Sequence, residues 1–332
     1  MTRHIVTFII LLFTLGSASA ETITVCLDGG CAYSDIQLAI DSAGDGDVIE
    51  IAAGTYFQGG QIDTAGKAVH LRGAVDATGR PLTVLDGAND HGVLLCRNKE
   101  GADTILENLV VQNGSGNFGG GLYCFKSHPS IINCTFRDNR ATQYYGGGVY
   151  LAVSDPVISN CRFLDNTAAQ HGGGIYLDFS SPQLSNCIFE GNAASLSGGG
   201  LYSGFGSDST VSACEFIANS APHGGGIFVT SNTEMIRIST VTICGNTSDQ
   251  IQGSFIDEGG NCIEETCVDC VHDLCASDLN QDGVVNGVDV GLFFAEWGCA
   301  GESACTGDFN QDGIVDGADL TYILISWGAC PA

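Results

Sequence analysis

Apolar positions in the middle of the chain return with a long fixed period rather than along a helical stripe. Gly-Gly-Gly triplets end at Gly121, Gly148, Gly174, Gly200 and Gly226, spacings of 27, 26, 26 and 26 residues. Each triplet is followed by an apolar residue and an aromatic one: Leu122-Tyr123, Val149-Tyr150, Ile175-Tyr176, Leu201-Tyr202 and Ile227-Phe228. Between triplets lies a second short segment, Asn-Cys-x-Phe-x-x-Asn, at Asn133 to Asn139, Asn160 to Asn166 and Asn186 to Asn192. Ala213 replaces the first Asn in the copy that ends at Asn219. A unit repeated every 20–50 residues or so buries its apolar face by stacking on its neighbours, which makes a solenoid. Short alternating strands with Gly and Asn turns predict a mainly β one.

Alternation then assigns faces. Ile132, Cys134 and Phe136 are predicted to point inward, Asn133 and Thr135 outward. Coils stack about 4.8 Å apart, so equivalent residues form ladders. Phe136, Phe163, Phe189 and Phe216 belong inside, and Tyr123, Tyr150, Tyr176 and Tyr202 outside. The column Asn139, Asn166, Asn192, Asn219 and Asn246 is expected to bond amide to amide and to hold left-handed turns. Cys134, Cys161, Cys187 and Cys214 share an interior column with Leu109 and Val241, a site that suits a small apolar side chain. Parallel neighbours point the same way, which strains a bridge, so these four thiols are expected to be reduced.

The triplet followed by Leu, Val or Ile, together with Phe-x-x-Asn (Phe136 to Asn139, Phe163 to Asn166, Phe189 to Asn192, Phe216 to Asn219), resembles the repeats of polymorphic membrane proteins. That resemblance implies a right-handed parallel β-helix of a surface passenger domain. Upstream, Tyr33 to Ile49 and Ala53-Gly54-Thr55-Tyr56 resemble the opening of pectin-lyase-like β-helices. There Ser34 and Gln37 read as a capping box, and Ile36, Ala39, Ile40 and Ala43 as one apolar helix face that would cover the open end of the solenoid.

Compartment follows from the N-terminus. Arg3 and His4, an apolar run from Ile5 to Leu15 and Ala18-Ser19-Ala20 before Glu21 form a secretory signal over residues 1–20. The run is too short to span a bilayer, and no later segment is longer, so no membrane span is expected. All 16 cysteines follow the cleavage point, in an oxidising setting. Net charge is −27, and losing Arg3 makes it −27 − 1 = −28. No Lys or Arg follows Arg237. Nucleic acid is excluded as a partner, because its binding needs basic patches.

The C-terminus carries a different pattern. A 12-residue acidic loop occurs at Asp278 to Asp289 and again at Asp308 to Asp319. Calcium loops place oxygen ligands at positions 1, 3, 5, 7, 9 and 12, with Gly at position 6 for the sharp turn. The candidate ligands are Asp278, Asn280, Asp282, the Val284 carbonyl, Asn286 and Asp289 for one ion, and Asp308, Asn310, Asp312, the Ile314 carbonyl, Asp316 and Asp319 for a second. Asp stands at position 12 in place of the usual Glu. Each loop runs into an apolar helical segment, from Val288 to a Gly at 298 and from Ala318 to a Gly at 328.

This duplicated loop with its exiting helix resembles the type I dockerin. The resemblance implies two calcium ions, a module over residues 276–332 and a cohesin-like docking partner. Positions 10 and 11, polar recognition residues in that family, are here Gly287-Val288 and Gly317-Ala318, so the resemblance carries over calcium binding but not cohesin binding: the module docks an apolar partner surface or simply folds on calcium. A dockerin's pseudo-twofold symmetry would also bring the module's ends together, which implies a Cys275–Cys330 clasp beside a Cys299–Cys305 pair. Cys26 and Cys31 flank a Gly-Gly turn and form a candidate local staple. Cys262, Cys267, Cys270 and Cys275 lie in a linker over residues 261–275; their 5-3-5 spacing lacks the paired Cys-x-x-Cys knuckles of zinc sites.

The expected organisation is a signal peptide, a right-handed parallel β-helix over 21–260, the Cys-rich linker and the calcium module, secreted or held at the outer cell surface. A non-catalytic component that binds a polysaccharide or cell-surface glycan is the first functional expectation. The alternative is a polysaccharide-active enzyme, lyase before hydrolase, whose weak catalytic candidates are Arg137, Arg162, Asp138 and Asp165 on adjacent coils. The competing reading is solvated ion pairs on a coil exterior, since Arg137 and Arg140 have Glu190 and Asp138 nearby in the repeat lattice. His171 and His223 stand before triplets in a column shared with Phe118, Tyr145 and Ser197, which reads as turn variation.

Overall fold

The computed structural model describes residues 20–57, 59–230, 235–267, 277–280, 282, 284–299, 305–309, 314–325 and 327–329. From Thr22 to Glu264 the chain winds as a parallel β-solenoid, each strand hydrogen-bonded to its equivalents one coil away. The strands line up as parallel sheets of ten, nine and eight, with a fourth of four short strands. Strand Leu122–Phe125 pairs with Leu94–Cys96 on one side and Val149–Ala152 on the other, so that Tyr123 lies between Leu95 and Tyr150.

One buried cluster fills the coil interior from Val25 to Ile243. The four ladder phenylalanines are fully buried, with ring centroids 5.3, 4.6 and 4.3 Å apart and planes within 11° of parallel. The asparagine column runs beside them as expected. Asn166 Oδ1 accepts from the Asn139 backbone N–H at 3.1 Å and from its Nδ2 at 3.0 Å, and the pattern repeats to Asn246. These amides are buried, and each also ties a strand carbonyl, as Asn166 Nδ2 does at Phe136 O. Buried polar groups linked this way add cohesion without leaving an unsatisfied partner. Cys134, Cys161, Cys187 and Cys214 are free and buried, as are Cys96 and Cys124. Burial raises the Cys124 thiol to about 12, which keeps it unreactive.

The triplets are glycine for two reasons. Their first residue, such as Gly146 at φ 69°, is left-handed. The third lies against the next coil's backbone: a Cβ on Gly148 would sit 2.7 Å from the Gly174 carbonyl oxygen.

Several expectations are corrected. Ile131, not Ile132, points inward; Ile132 is opposite Glu107 and Ser159 on the outer face. The reason is Asn133 at φ 49°, a single left-handed residue that turns the chain from one sheet into the next and resets the alternation. The second left-handed corner is one residue before the asparagine ladder, at Asp138, Asp165, Gly191 and Ala218. Helix α1 (Ile36–Ser42) is N-capped by Asp35, whose carboxylate accepts from the Leu38 N–H, rather than by Ser34. Gln37 instead bonds Asp41 and the Asp63 backbone. The apolar face of α1 is buried as predicted, and Lys67 Nζ closes its C-terminal end on the carbonyls of Ile40, Asp41 and Ala43.

Strand Cys262–Glu264 extends the nine-stranded sheet past residue 260, and Cys267, placed in the linker by sequence, is bridged back to Cys244. The Cys26–Cys31 and Cys299–Cys305 disulfides are present. Cys275 and Cys330, the signal segment 1–19, Asn310 and Asp312 lie outside the described residues.

C-terminal helices α2 (Gly287–Ala295) and α3 (Gly317–Ile325) share a small core of Val285, Phe293, Val315 and Ile323, two residue types of position repeated thirty residues apart. A two-residue antiparallel ladder joins Val284–Val285 to Gly328–Ala329. Helix α2 stops at Ala295, with Glu296 as C-cap, short of the Gly298 expected there.

Candidate functional site

The outer face of the eight-stranded sheet concentrates the exposed chemistry of the solenoid. Tyr123, Tyr150, Tyr176, Tyr202 and Phe228 stack with centroids 5.4, 5.6, 4.7 and 5.2 Å apart. A flanking column covers the same rings from the side, each ring reaching the ladder member of the next coil. Phe118 lies 5.0 Å from Tyr150, Tyr145 4.4 Å from Tyr176 and His171 4.7 Å from Tyr202. The tyrosines thus point outward, as expected, yet Tyr150 is only 8% exposed and Tyr202 9%. Burial raises the phenols of Tyr150, Tyr176 and Tyr202, and Tyr150 donates to Asp178 Oδ2 at 3.3 Å. Burial lowers His171, which stays neutral near pH 7.

Three residues past each ladder tyrosine comes a turn column: Lys126, Val153, Phe179 and Phe205. The first three hold φ of 51°, 52° and 48°. A left-handed β-branched Val is a genuine outlier, and such strain clusters at functional positions. Phe179 is 59% exposed and Phe205 56%. An exposed apolar ridge, left-handed at Val153 and Phe179, is the kind of patch that marks a binding surface. The constant offset from the tyrosines was legible in the sequence and was missed there.

At the N-terminal foot of the ladder opens a cavity of about 860 Å³, bordered by Tyr123, Phe118, Phe125, Leu95, Arg97, Gln61, Asp90 and His91 among others. Arg97 Nε lies 3.7 Å from Asp63 Oδ2. The periodic pattern had marked Tyr123 and Phe118 but not Gln61, Asp90, His91, Leu95 or Arg97, which precede the first Gly triplet.

The four catalytic candidates do not form one constellation. Arg137 is exposed and donates to Gln112 Oε1 at 2.8 and 2.5 Å. Arg162 stands in another column, between Thr135 and Ile188. Asp138 and Asp165 are successive left-handed corner residues. His171 and His223 occupy the turn column with Tyr145 and Ser197, as expected.

In the first acidic loop the candidate ligands are tied together by pairwise hydrogen bonds, but among the described residues no group of three or more His, Cys, Asp or Glu side chains is gathered closely enough to hold a metal ion. Asp289 is fully buried; its Oδ1 accepts from the Asn280 N–H at 3.2 Å and its Oδ2 from the Asn286 N–H at 2.8 Å. Asp278 Oδ1 accepts from the Asp282 N–H, Asn280 Nδ2 donates to Asp282 Oδ2, and Asn286 Nδ2 donates to the Val284 carbonyl. In the second loop Asp319, also buried, accepts from the Asp316 N–H at 2.9 Å. An all-oxygen set with several carboxylates and no basic residue in this part of the chain fits a hard cation such as calcium.

Comparisons with solved structures find a pectin methylesterase from Aspergillus niger at TM-score 0.43 and 14% identity, over 75% of this chain and 91% of that one. A variant of a PL6 family alginate lyase gives 0.40 and 14%, over 75% of this chain and 40% of that one. Similarity this weak transfers no chemistry. No curated protein matches the sequence. Among the described residues no helix is long and apolar enough to cross a membrane. Residues 68–248, more than half of the 332-residue chain, match the family model described as a right handed beta helix region, and the chain belongs to that β-helix family.

Proposed function

We propose that the protein is an exported, non-catalytic binding component whose aromatic outer face holds a glycan and whose C-terminal module folds around two calcium ions and serves as its docking end. The observation that carries the proposal is the ladder from Tyr123 to Phe228 beside the ridge of Val153, Phe179 and Phe205. Sugars bury the apolar faces of their rings on aromatic side chains and satisfy their hydroxyls at the rim. The coil rise of about 4.8 Å is close to the length one pyranose adds to an extended chain, so a polymer laid along the axis meets the same surface at each step. Strong negative charge on the chain argues against nucleic acid and anionic surfaces as alternatives.

For the docking end, exposed apolar positions recur thirty residues apart, on the two helices at Leu292 with Tyr322 and Phe294 with Leu324, and just past their ends at Trp297 with Trp327. This duplication supports a docking protein with an apolar, cohesin-like surface as partner. Calcium binding by the loops would neutralise Asp278, Asp282 and Asp289 together and hold the start of α2.

Two measurements on the mature full-length protein test the proposal. Retention in affinity gels that contain soluble polysaccharides should fall on Phe179→Ser, with the melting temperature unchanged; no retention by any polysaccharide sinks the glycan reading. Calorimetric calcium titration should show binding that Asp278→Ala with Asp308→Ala removes; absence of heat in the unmodified protein sinks the calcium reading.

A further inference from the structure

Every inner member of the tyrosine ladder is covered twice, by the ring below it in the stack and by a flanking ring from the preceding coil. Tyr150 has Tyr123 beneath it and Phe118 beside it; Tyr176 has Tyr150 and Tyr145; Tyr202 has Tyr176 and His171. Tyr123 has neither. Its register partner below is Leu95, and the flank is formed by Asp90 and His91. On this side of Tyr123 lies the cavity of about 860 Å³.

The geometry points to this cavity as a subsite for a single pyranose unit of a neutral glycan, which takes the place of the missing ring on the open face of Tyr123. The inference rests on the glycan-binding reading and deepens it. A hexose matches what the ladder lacks there: a flat apolar face to stack on the phenol, rimmed by hydroxyls for the polar groups around it. Those groups are Arg97, 58% exposed at its side chain, and Gln61, whose amide lies over Gly92. Neutral rather than acidic sugar follows from charge. Among the described lining residues Arg97 carries the one guanidinium, which faces Asp63 at 3.7 Å and shares the lining with Asp90, so little positive charge is left to hold a carboxylate, and the chain as a whole carries −27.

The test is calorimetric titration of the mature protein with cellohexaose, mannohexaose, xylohexaose and hexagalacturonate. At least one neutral hexaose should bind more tightly than hexagalacturonate. Arg97→Ala and Gln61→Ala, both at exposed positions, should each weaken it roughly ten-fold, the worth of one hydrogen bond, with an unchanged melting temperature. Tyr123→Leu, which extends the Leu95 side chain type by one coil, should abolish it. Neutral-glycan binding that all three variants leave intact but Phe179→Ser removes overturns the subsite and leaves the glycan-binding face standing. Preference for hexagalacturonate overturns the neutral assignment. No binding by any hexaose or parent polymer overturns both.

Discussion

The coils carry two aromatic ladders that differ in what surrounds them. Phe136 to Phe216 and Tyr123 to Phe228 have nearly the same spacing, 4.3–5.3 Å inside and 4.7–5.6 Å outside. Inside, each ring is enclosed by the strands of three sheets and by the asparagine amides, and none is exposed. Outside, the cover is supplied by other aromatics, and it fails at Tyr123 and along the ridge at Phe179 and Phe205. Stacking distance is therefore set by the coil rise, whereas the consequence of stacking is set by the neighbours. The inner ladder contributes to stability, and the outer one leaves ring faces and apolar turns available to a ligand.

That contrast can be broken most directly from the inside. Phe163→Ala removes a ring with ladder neighbours on both faces and should cost about 3–5 kcal/mol, as for buried aromatics in general. Denaturant unfolding that shows less than the outer-ladder variants would invert the assignment of faces. Next in size is Asn166→Ala, which strands the Asn139 N–H in a buried setting and removes the side-chain donor to the Phe136 carbonyl. A loss of about 1–3 kcal/mol is expected for the unsatisfied group, and Asn166→Asp should not restore it in full because a carboxylate cannot donate to Phe136 O.

Tyr176→Ala should cost less, about 1–2 kcal/mol, since the ring is partly solvated and part of its burial is against other surface rings. The same variant should reduce retention by polysaccharide gels, which Phe163→Ala, if folded, should not. The smallest effect is in pH. Burial raises the phenols of Tyr150, Tyr176 and Tyr202 above the unfolded value of about 10. The stability linked to them is present in full below that value and is lost as pH rises through the folded values. Ultraviolet titration should show these phenols ionising later than free tyrosine and together with alkaline unfolding; ionisation at the ordinary pH would mean that the outer ladder is solvated.

Much of this contrast was legible in the sequence. The triplet period located the coils, the Phe and Cys columns located the core, and two aligned acidic loops located the calcium candidates. The parity of Ile131 and Ile132 was not, because one left-handed residue at Asn133 resets the alternation and leaves no mark in the apolar pattern. The N-cap failed for a related reason: Ser34 and Asp35 are both good caps, and the backbone entry angle selects Asp35. The Cys244–Cys267 bridge joins the last regular coil to a segment without the repeat, so no spacing rule reached it.

What the sequence determined by itself is what recurs once per coil as a residue type, since each copy meets the same physical demand: a ring inside, a small thiol at the narrow column, an amide at the corner, glycine where backbones touch. Only the tertiary structure decided what depends on the difference between one coil and the next. The buried state of Tyr150 and the open face of Tyr123 come from contacts across a coil boundary, between residues 27 to 32 positions apart. A Tyr above a Leu and a Tyr above a Tyr are the same residue in sequence, and they differ only once the coils are stacked.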